Sequence, residues 1–231
     1  MNSMKKLLTF SLMALLGAAC ARADDSNTVR SELVVRVETC EAIIREFQAN
    51  PQTAVPVAVL QRARALLILN QFKAGFILGV KAGYGTLMVK KPDGRWSLPV
   101  LVDASEASLG FQIGAKSVET VIVITDDATP RLLFANRFNI GIDAKAVIGP
   151  SAAEVERDAR TVFVAPVLVY THTVGVYAGA TVKAGHVSRN DSANFTLYNT
   201  AYTMPELLYS DWVTPPSEIQ PFISYVQQIA P

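Results

Sequence analysis

From residue 74 to about residue 198, short apolar runs rich in β-branched residues alternate with turn residues, and this repetition confines most of the chain to a sheet. The expected strands are 75–80, 84–90, 96–101, 107–115, 120–125, 142–148, 161–170, 174–183 and 195–198. Lys91-Pro92-Asp93-Gly94 is a turn with a mechanism: proline presets φ and glycine accepts a positive φ. It should join 84–90 to 96–101 as a hairpin. Helical periodicity brackets the sheet. In 26–49, Val29, Leu33, Val37, Cys40, Ile44 and Phe47 recur at three- and four-residue steps between charged residues, Ser26 or Asn27 can cap the start, and Asn50-Pro51 ends it. A shorter helix is expected near 56–65, and Leu66-Leu67-Ile68-Leu69 either extends it or opens a strand. Residues 129–138 read as a short helix with Asp126 or Asp127 near its start. Residues 217–229 read as a C-terminal helix capped by Ser217, with Ile219, Phe222, Ile223, Val226 and Ile229 on one face. The fold class is α+β: a strongly curved, mainly antiparallel sheet with helices at the N- and C-terminal ends.

One echo recurs inside the sheet region. Gly75-Phe76-Ile77-Leu78-Gly79, Gly110-Phe111-Gln112-Ile113-Gly114 and Gly175-Val176-Tyr177-Ala178-Gly179 share the form Gly-apolar-x-apolar-Gly. Residues i and i+4 of a strand point to one face, so each segment read as a strand has two bare positions on that face. Glycine weakens a strand unless something packs closely there. The expected use is tight packing in a coiled, barrel-like core; the sharper reading is a smooth wall for an acyl chain.

The N-terminus reads as a secretory signal over residues 1–23, leaving a single domain at 24–231. Lys5 and Lys6 precede an apolar run from Leu7 to Cys20, then small residues, then Asp24-Asp25. The run is too short to span a bilayer, which takes about 20 apolar residues. Two cleavage sites compete. Ala21-Arg22-Ala23 is an A-x-A site, and Leu16-Gly17-Ala18-Ala19-Cys20 resembles a lipobox that would leave lipid on Cys20. The first is preferred, making the protein exported and periplasmic; the second would make it an outer-membrane lipoprotein anchored at Cys20. Removing 1–23 takes away Lys5, Lys6 and Arg22 and no acid, so the 21 basic residues become 18 against 20 acidic, a net of −2. Bulk charge therefore excludes a nucleic-acid surface. With only Cys20 and Cys40 in the chain, a disulfide-stapled fold is excluded too, and Cys40 reads as a small core residue.

The chemistry-bearing residues do not assemble into a known catalytic set. His172 and His186 lack H-E-x-x-H context or a second ligand at metal spacing. There is no G-x-S-x-G, no P-loop and no G-x-G-x-x-G, so neither metal, cofactor nor nucleophile is expected. Asp126-Asp127 reads as a helix start rather than a paired carboxylate. Asp143, in the apolar stretch Ile140–Ala144, reads as a hydrogen-bond anchor.

Several segments in order resemble the SYLF domain family, also called the Ysc84-type lipid-binding domain. They are Lys73-Ala74-Gly75-Phe76, Gly79, Gly83-Tyr84-Gly85, Asp93-Gly94-Arg95-Trp96-Ser97-Leu98-Pro99, and Ser108-Leu109-Gly110-Phe111-Gln112-Ile113-Gly114-Ala115. Gly141-Ile142-Asp143-Ala144, Gly149-Pro150, Tyr170, Gly175, Gly179, Gly185, Asn194 and Tyr198 follow. The resemblance covers roughly residues 30–200. It departs at Ser151-Ala152-Ala153, where the family often has a glycine and an arginine, and at Tyr198-Asn199, where it has Tyr-Gly.

The resemblance implies a non-enzymatic lipid-binding module. Eukaryotic relatives bind phosphoinositides and some bind actin filaments, whereas bacterial relatives are exported. The expected partner is therefore a phospholipid or membrane surface outside the cytoplasm. Lys73, Lys81, Arg95 and Lys116 are the candidate head-group contacts, because each lies beside a glycine-rich strand or turn; Lys90 and Lys91 come next. Trp96 reads as core. The alternatives are an envelope scaffold that uses the glycine-rich sheet as a protein interface, and a hydrolase built on Ser108 or Asp143 with His172.

Overall fold

The computed structural model describes residues 27–75, 78–109, 114–134, 138–139, 146–151, 155, 165–174 and 186–231. Helix α1 covers 27–49 and ends where Asn50 precedes Pro51. Short helix α2 (Val57–Leu60) follows, with Pro56 at its N-cap. Strands β1 (Ala65–Gly75), β2 (Leu78–Val89), β3 (Val100–Leu109) and β4 (Gly114–Ile124) then run up and down in the sheet. After them come α3 (Thr129–Leu132), β5 (Phe138–Asn139), β6 (Ala146–Ile148), β7 (Val167–Val174) and β8 (His186–Arg189). Helices α4 (Asp191–Tyr198), α5 (Met204–Tyr209) and α6 (Gln220–Ile229) close the chain.

The eight strands form one strongly curled, half-barrel sheet in the order β5-β8-β3-β2-β1-β4-β7-β6. Every pair is antiparallel except β6–β7. The α+β reading with a mainly antiparallel, curved sheet holds. Central strand β1 is buried on both faces over Ala65–Leu69. That double burial explains why Leu66–Leu69 is an unbroken apolar run rather than an alternating one, and why it opens the strand instead of extending α2.

Helix α1 lies on the sheet. Cys40 is fully buried and its thiol points to the Ile68 carbonyl at 3.8 Å. Burial pushes that thiol up to about 12, with Thr86 beside it pulling weakly the other way, so the expected core role is borne out and the sulfur is inert at neutral pH. Arg36 stacks over the Tyr84 ring of β2 at 5.2 Å, and Arg45 over the Tyr225 ring of α6 at 3.9 Å. Both chain ends therefore meet on the sheet. Trp96 is core as expected: its indole N–H donates to the Ala230 carbonyl at 2.7 Å, and Gln227 accepts from its backbone N–H at 3.2 Å. Asp126 starts α3 by accepting from the N–H groups of Ala128 and Thr129 at 2.8 and 2.6 Å.

Three expectations are corrected. Residues 75–80 and 107–115 are not single strands. Gly75 is the cross-strand partner of Gly79, and β3 ends at Leu109 while β4 begins at Gly114. These glycines bracket turns, where a bare residue relieves crowding, rather than lining a strand face. Residues 195–198 are helical because Asn190 caps α4 through the Ala193 N–H at 2.9 Å, and the helix closes on Asn199 in the left-handed region. The C-terminal helix starts at Gln220 rather than at a Ser217 cap, since Ser217 Oγ turns to Glu218. Its apolar face is as expected, with Ile219, Phe222 and Val226 buried.

Asn194 ties α4 to the sheet. Its amide nitrogen donates to the Leu101 carbonyl and its oxygen accepts from the Leu101 N–H, at 2.9 and 2.8 Å, in a buried setting. Asn194→Ala would leave both Leu101 groups unpaired, so it should cost about 2–3 kcal/mol. Urea unfolding, with an unchanged m-value, checks this.

Candidate functional site

The antiparallel register decides which of the sequence-predicted cations stand together. In β1 and β2, Lys73 pairs with Lys81; in β1 and β4, Lys73 pairs with Lys116. Three of the four candidates thus form one row across three adjacent central strands. Glu106 of β3, the partner of Lys81, ends it. Like charges directly opposite one another destabilise a sheet, so the row works against the fold that carries it.

On one side of this row, two residues along, lies a row of glycines, Gly79–Gly75–Gly114. On the other side is Phe72, in register with Ala82 and Ser117 and 57% exposed. An exposed phenylalanine at mid-sheet carries no polar handle to satisfy in water. Next comes Gln71, which is buried, and beside it in β2 stands Gly83. A β-carbon on Gly83 would sit 2.0 Å from the Asn70 carbonyl oxygen, and one on Gly85 2.2 Å from that of Ile68. Strands β1 and β2 are pressed together here, which is the close approach that glycine permits.

The fourth candidate does not join them. Arg95 follows the Lys91–Gly94 turn at the opposite end of β2. Lys81 and Val89 are eight residues apart, roughly 27 Å at about 3.4 Å per residue. There Arg95 reaches Asp93 at 2.7 Å and Asp211 at 2.6 Å, while Lys91 also bonds Asp211 and Lys90 bonds the Pro231 carbonyl. Hydrogen bonds from Lys91 and then Arg95 hold the Asp211 carboxyl below its usual range; the Arg95 backbone and then its side chain do the same for Asp93. A depressed carboxylate stabilises the folded state above the ordinary aspartate value near about 4 and loses that contribution as pH falls through its folded value. The stability gap between the parent and Asp211→Asn should therefore narrow on acidification below about 4, as denaturant melts across pH would show. This end of the molecule also carries the Tyr202–Trp212 ring pair, centroids 5.2 Å apart, with Trp212 63% exposed.

The hydrolase alternative finds no support in the placement of its residues. Ser108 is on β3 and His172 on β7, four strand spacings apart in the sheet order. His172 faces Glu119 at 3.4 Å and the edge of Phe47. His186 lies 2.9 Å from Ser105, a pairing that the sequence did not reveal, but the nearby Asp103 carboxylate accepts from Asn190 instead. Among the described residues no three His, Cys, Asp or Glu side chains are grouped to hold a metal ion. Cys20 with the signal region, Asp143 and the third glycine echo lie outside the described residues.

The lysine row and the exposed Phe72 were separately visible as residues but not as neighbours. One signal could have found the row: Lys73 and Lys81 stand equally far from Ile77, so a turn centred there pairs them.

A curled eight-stranded sheet, tied by helices from both ends of the chain and pinched by glycines at its centre, defines an α+β half-barrel domain. The chain belongs to the Ysc84 family, whose sequence model, described as a Las17-binding protein actin regulator, matches residues 105–229. It is similar to the human SH3 domain-containing YSC84-like protein 1, 25% identical over 82% of this chain and 57% of the relative. The bovine protein of the same name is 24% identical over 84% of this chain and 59% of its own length. LAS seventeen-binding protein 3 of Saccharomyces cerevisiae is 27% identical over 88% of this chain and 45% of its length. The chain spans about half the length of these curated relatives. No solved structure matches it.

Proposed function

We propose that the protein is a non-enzymatic module that binds an anionic phospholipid surface outside the cytoplasm, with Lys81, Lys73 and Lys116 as its principal contacts. The observation that carries this reading is the register row itself. Three like charges side by side on central strands oppose folding, and an anionic surface would relieve them. The apolar N-terminal run and its A-x-A site support export as the setting in which that surface is met. Arg95 is left out of the contact set, because two carboxylates already hold it.

The test is co-sedimentation of the folded protein with vesicles of phosphatidylcholine alone or mixed with phosphatidylglycerol. Binding should require the anionic lipid and weaken as salt rises. Folded protein that ignores both vesicle types would remove the reading.

The family description and the name of the yeast relative favour a second reading, in which the same glycine-rich sheet meets a partner protein. A cross-linked partner recovered from cells, and not displaced by anionic vesicles, would favour it over the first.

A further inference from the structure

We infer that the protein enters the bilayer by one end of its sheet, the end where β1 turns into β2 and β3 turns into β4, with the lysine row held at head-group depth. This rests on the anionic-lipid reading above and adds to it an orientation and a depth.

The register puts the two turns side by side. Leu78, the first residue of β2, pairs with Leu109, the last residue of β3, and Gly75 pairs with both Gly79 and Gly114. The chain crosses from Gly75 to Leu78 through Phe76 and Ile77, and from Leu109 to Gly114 through Gly110, Phe111, Gln112 and Ile113. Those crossings lie outside the described residues, but the rows fix where they begin and end. From Ala74 to Val80, and again from Ala107 to Ala115, there is no charged residue. Both uncharged stretches are bounded by the same row: Lys73 and Lys81 flank the first, and Glu106 and Lys116 flank the second.

The opposite end of the same sheet provides the contrast. There β2 leads toward β3 through Lys91-Pro92-Asp93-Gly94, a polar turn of the kind that faces water. A pair of water-facing turns at the near end would be expected to use similar residues; two adjacent turns each containing phenylalanine and isoleucine are instead suited to hydrocarbon.

The spacing fits as well. Two residues of strand separate the lysine row from the glycine row, about 7 Å. Interfacial elements bury their apolar parts about 5–10 Å into the boundary between head groups and acyl chains. Lysines at that distance from the tip would stand among the phosphates. Phe72, exposed and one residue to the other side of the row, is at the level where aromatic rings settle.

Single tryptophan substitutions test this in the protein as its native cells process it. Phe72→Trp, Leu78→Trp and Leu109→Trp probe the near end, and Phe195→Trp is the control. Phe195 is exposed on α4, whose Asn194 is bonded to Leu101, eight residues along β3 from Leu109. Each is mixed with phosphatidylcholine–phosphatidylglycerol vesicles carrying a nitroxide near the top of the acyl chain. The parent, with Trp96 and Trp212, supplies the baseline. Tryptophan at 78 and 109 should lose emission on vesicle binding beyond that baseline, tryptophan at 72 should shift to the blue, and tryptophan at 195 should do neither. Phe72→Trp exchanges one exposed aromatic for another, so it reports even where a leucine variant does not fold. Vesicle binding with no response at 72, 78 and 109, or with the response at 195, overturns the orientation and leaves the lipid reading standing. Failure of the parent to bind overturns both.

Discussion

Replacing Gly83 by alanine is expected to cost about 4 kcal/mol, near the upper end for a single substitution. The added β-carbon would lie 2.0 Å from the Asn70 carbonyl oxygen and 2.6 Å from the Gln71 α-carbon. Neither obstacle is a flexible side chain that could swing aside. Both belong to the backbone of β1, the fifth strand of the eight in sheet order, and β2 is the fourth. Relief therefore requires the central ladder to open, and every strand outside it moves too. Gly85→Ala should behave alike, since its β-carbon would meet the Ile68 carbonyl oxygen at 2.2 Å. Gly94→Ala is the useful comparison. Nothing lies within 4 Å of a β-carbon there, and only the φ of +84° resists the change, so its cost should be about 1 kcal/mol. Thermal or urea unfolding of the three variants would separate steric overlap from backbone strain. If Gly83→Ala melts like Gly94→Ala, the sheet is not pinched at its centre.

The second large effect concerns binding, and its sign is opposite in the two measurements that read it. Changing Lys73, Lys81 and Lys116 together to glutamine should weaken binding to anionic vesicles by about 3 kcal/mol, taking about 1 kcal/mol for each cation near a charged surface. That is a loss of roughly 150-fold in partitioning. The same triple variant should be slightly more stable than the parent, by a few tenths of a kcal/mol for each relieved cross-strand pair. Co-sedimentation reads the first quantity and denaturant unfolding the second. A variant that loses binding because it is misfolded would lose stability as well, so the two outcomes cannot be confused. Changing Arg95 to glutamine should alter vesicle binding far less, because Asp93 and Asp211 already offset its charge.

Much of the fold was legible residue by residue. The periodicity of 27–49, the polar turn at 91–94, the acid at the start of α3 and the apolar face of α6 are local properties, and the structure carries each of them. The strands 75–80 and 107–115 were misread for a physical reason. A Gly-apolar-x-apolar-Gly segment satisfies the period of a strand and the ends of a tight reversal equally well, and only pairing with a distant strand separates the two. Residues 195–198 were misread because Phe195-Thr196-Leu197-Tyr198 has strand composition, while the cap that makes them helical, Asn190, stands outside the stretch.

The candidate site shows the same division more sharply. All four cations were visible as residues beside glycine, and the sequence ranked them alike. Register then brought Lys81, Lys73 and Lys116 into one row and left Arg95 at the far end between two carboxylates, one of which, Asp211, is 116 residues away in the chain.

By itself, then, the sequence determined the α+β composition, the inert core placement of Cys40 and Trp96, and the identity of the residues able to meet an anion. Tertiary structure alone decided which of those residues are neighbours. A strand alternates with period two, so moving a turn by one residue exchanges every partner and every face. The turn positions in this chain are set by glycines whose need for a bare α-carbon exists only once another strand's backbone lies against them.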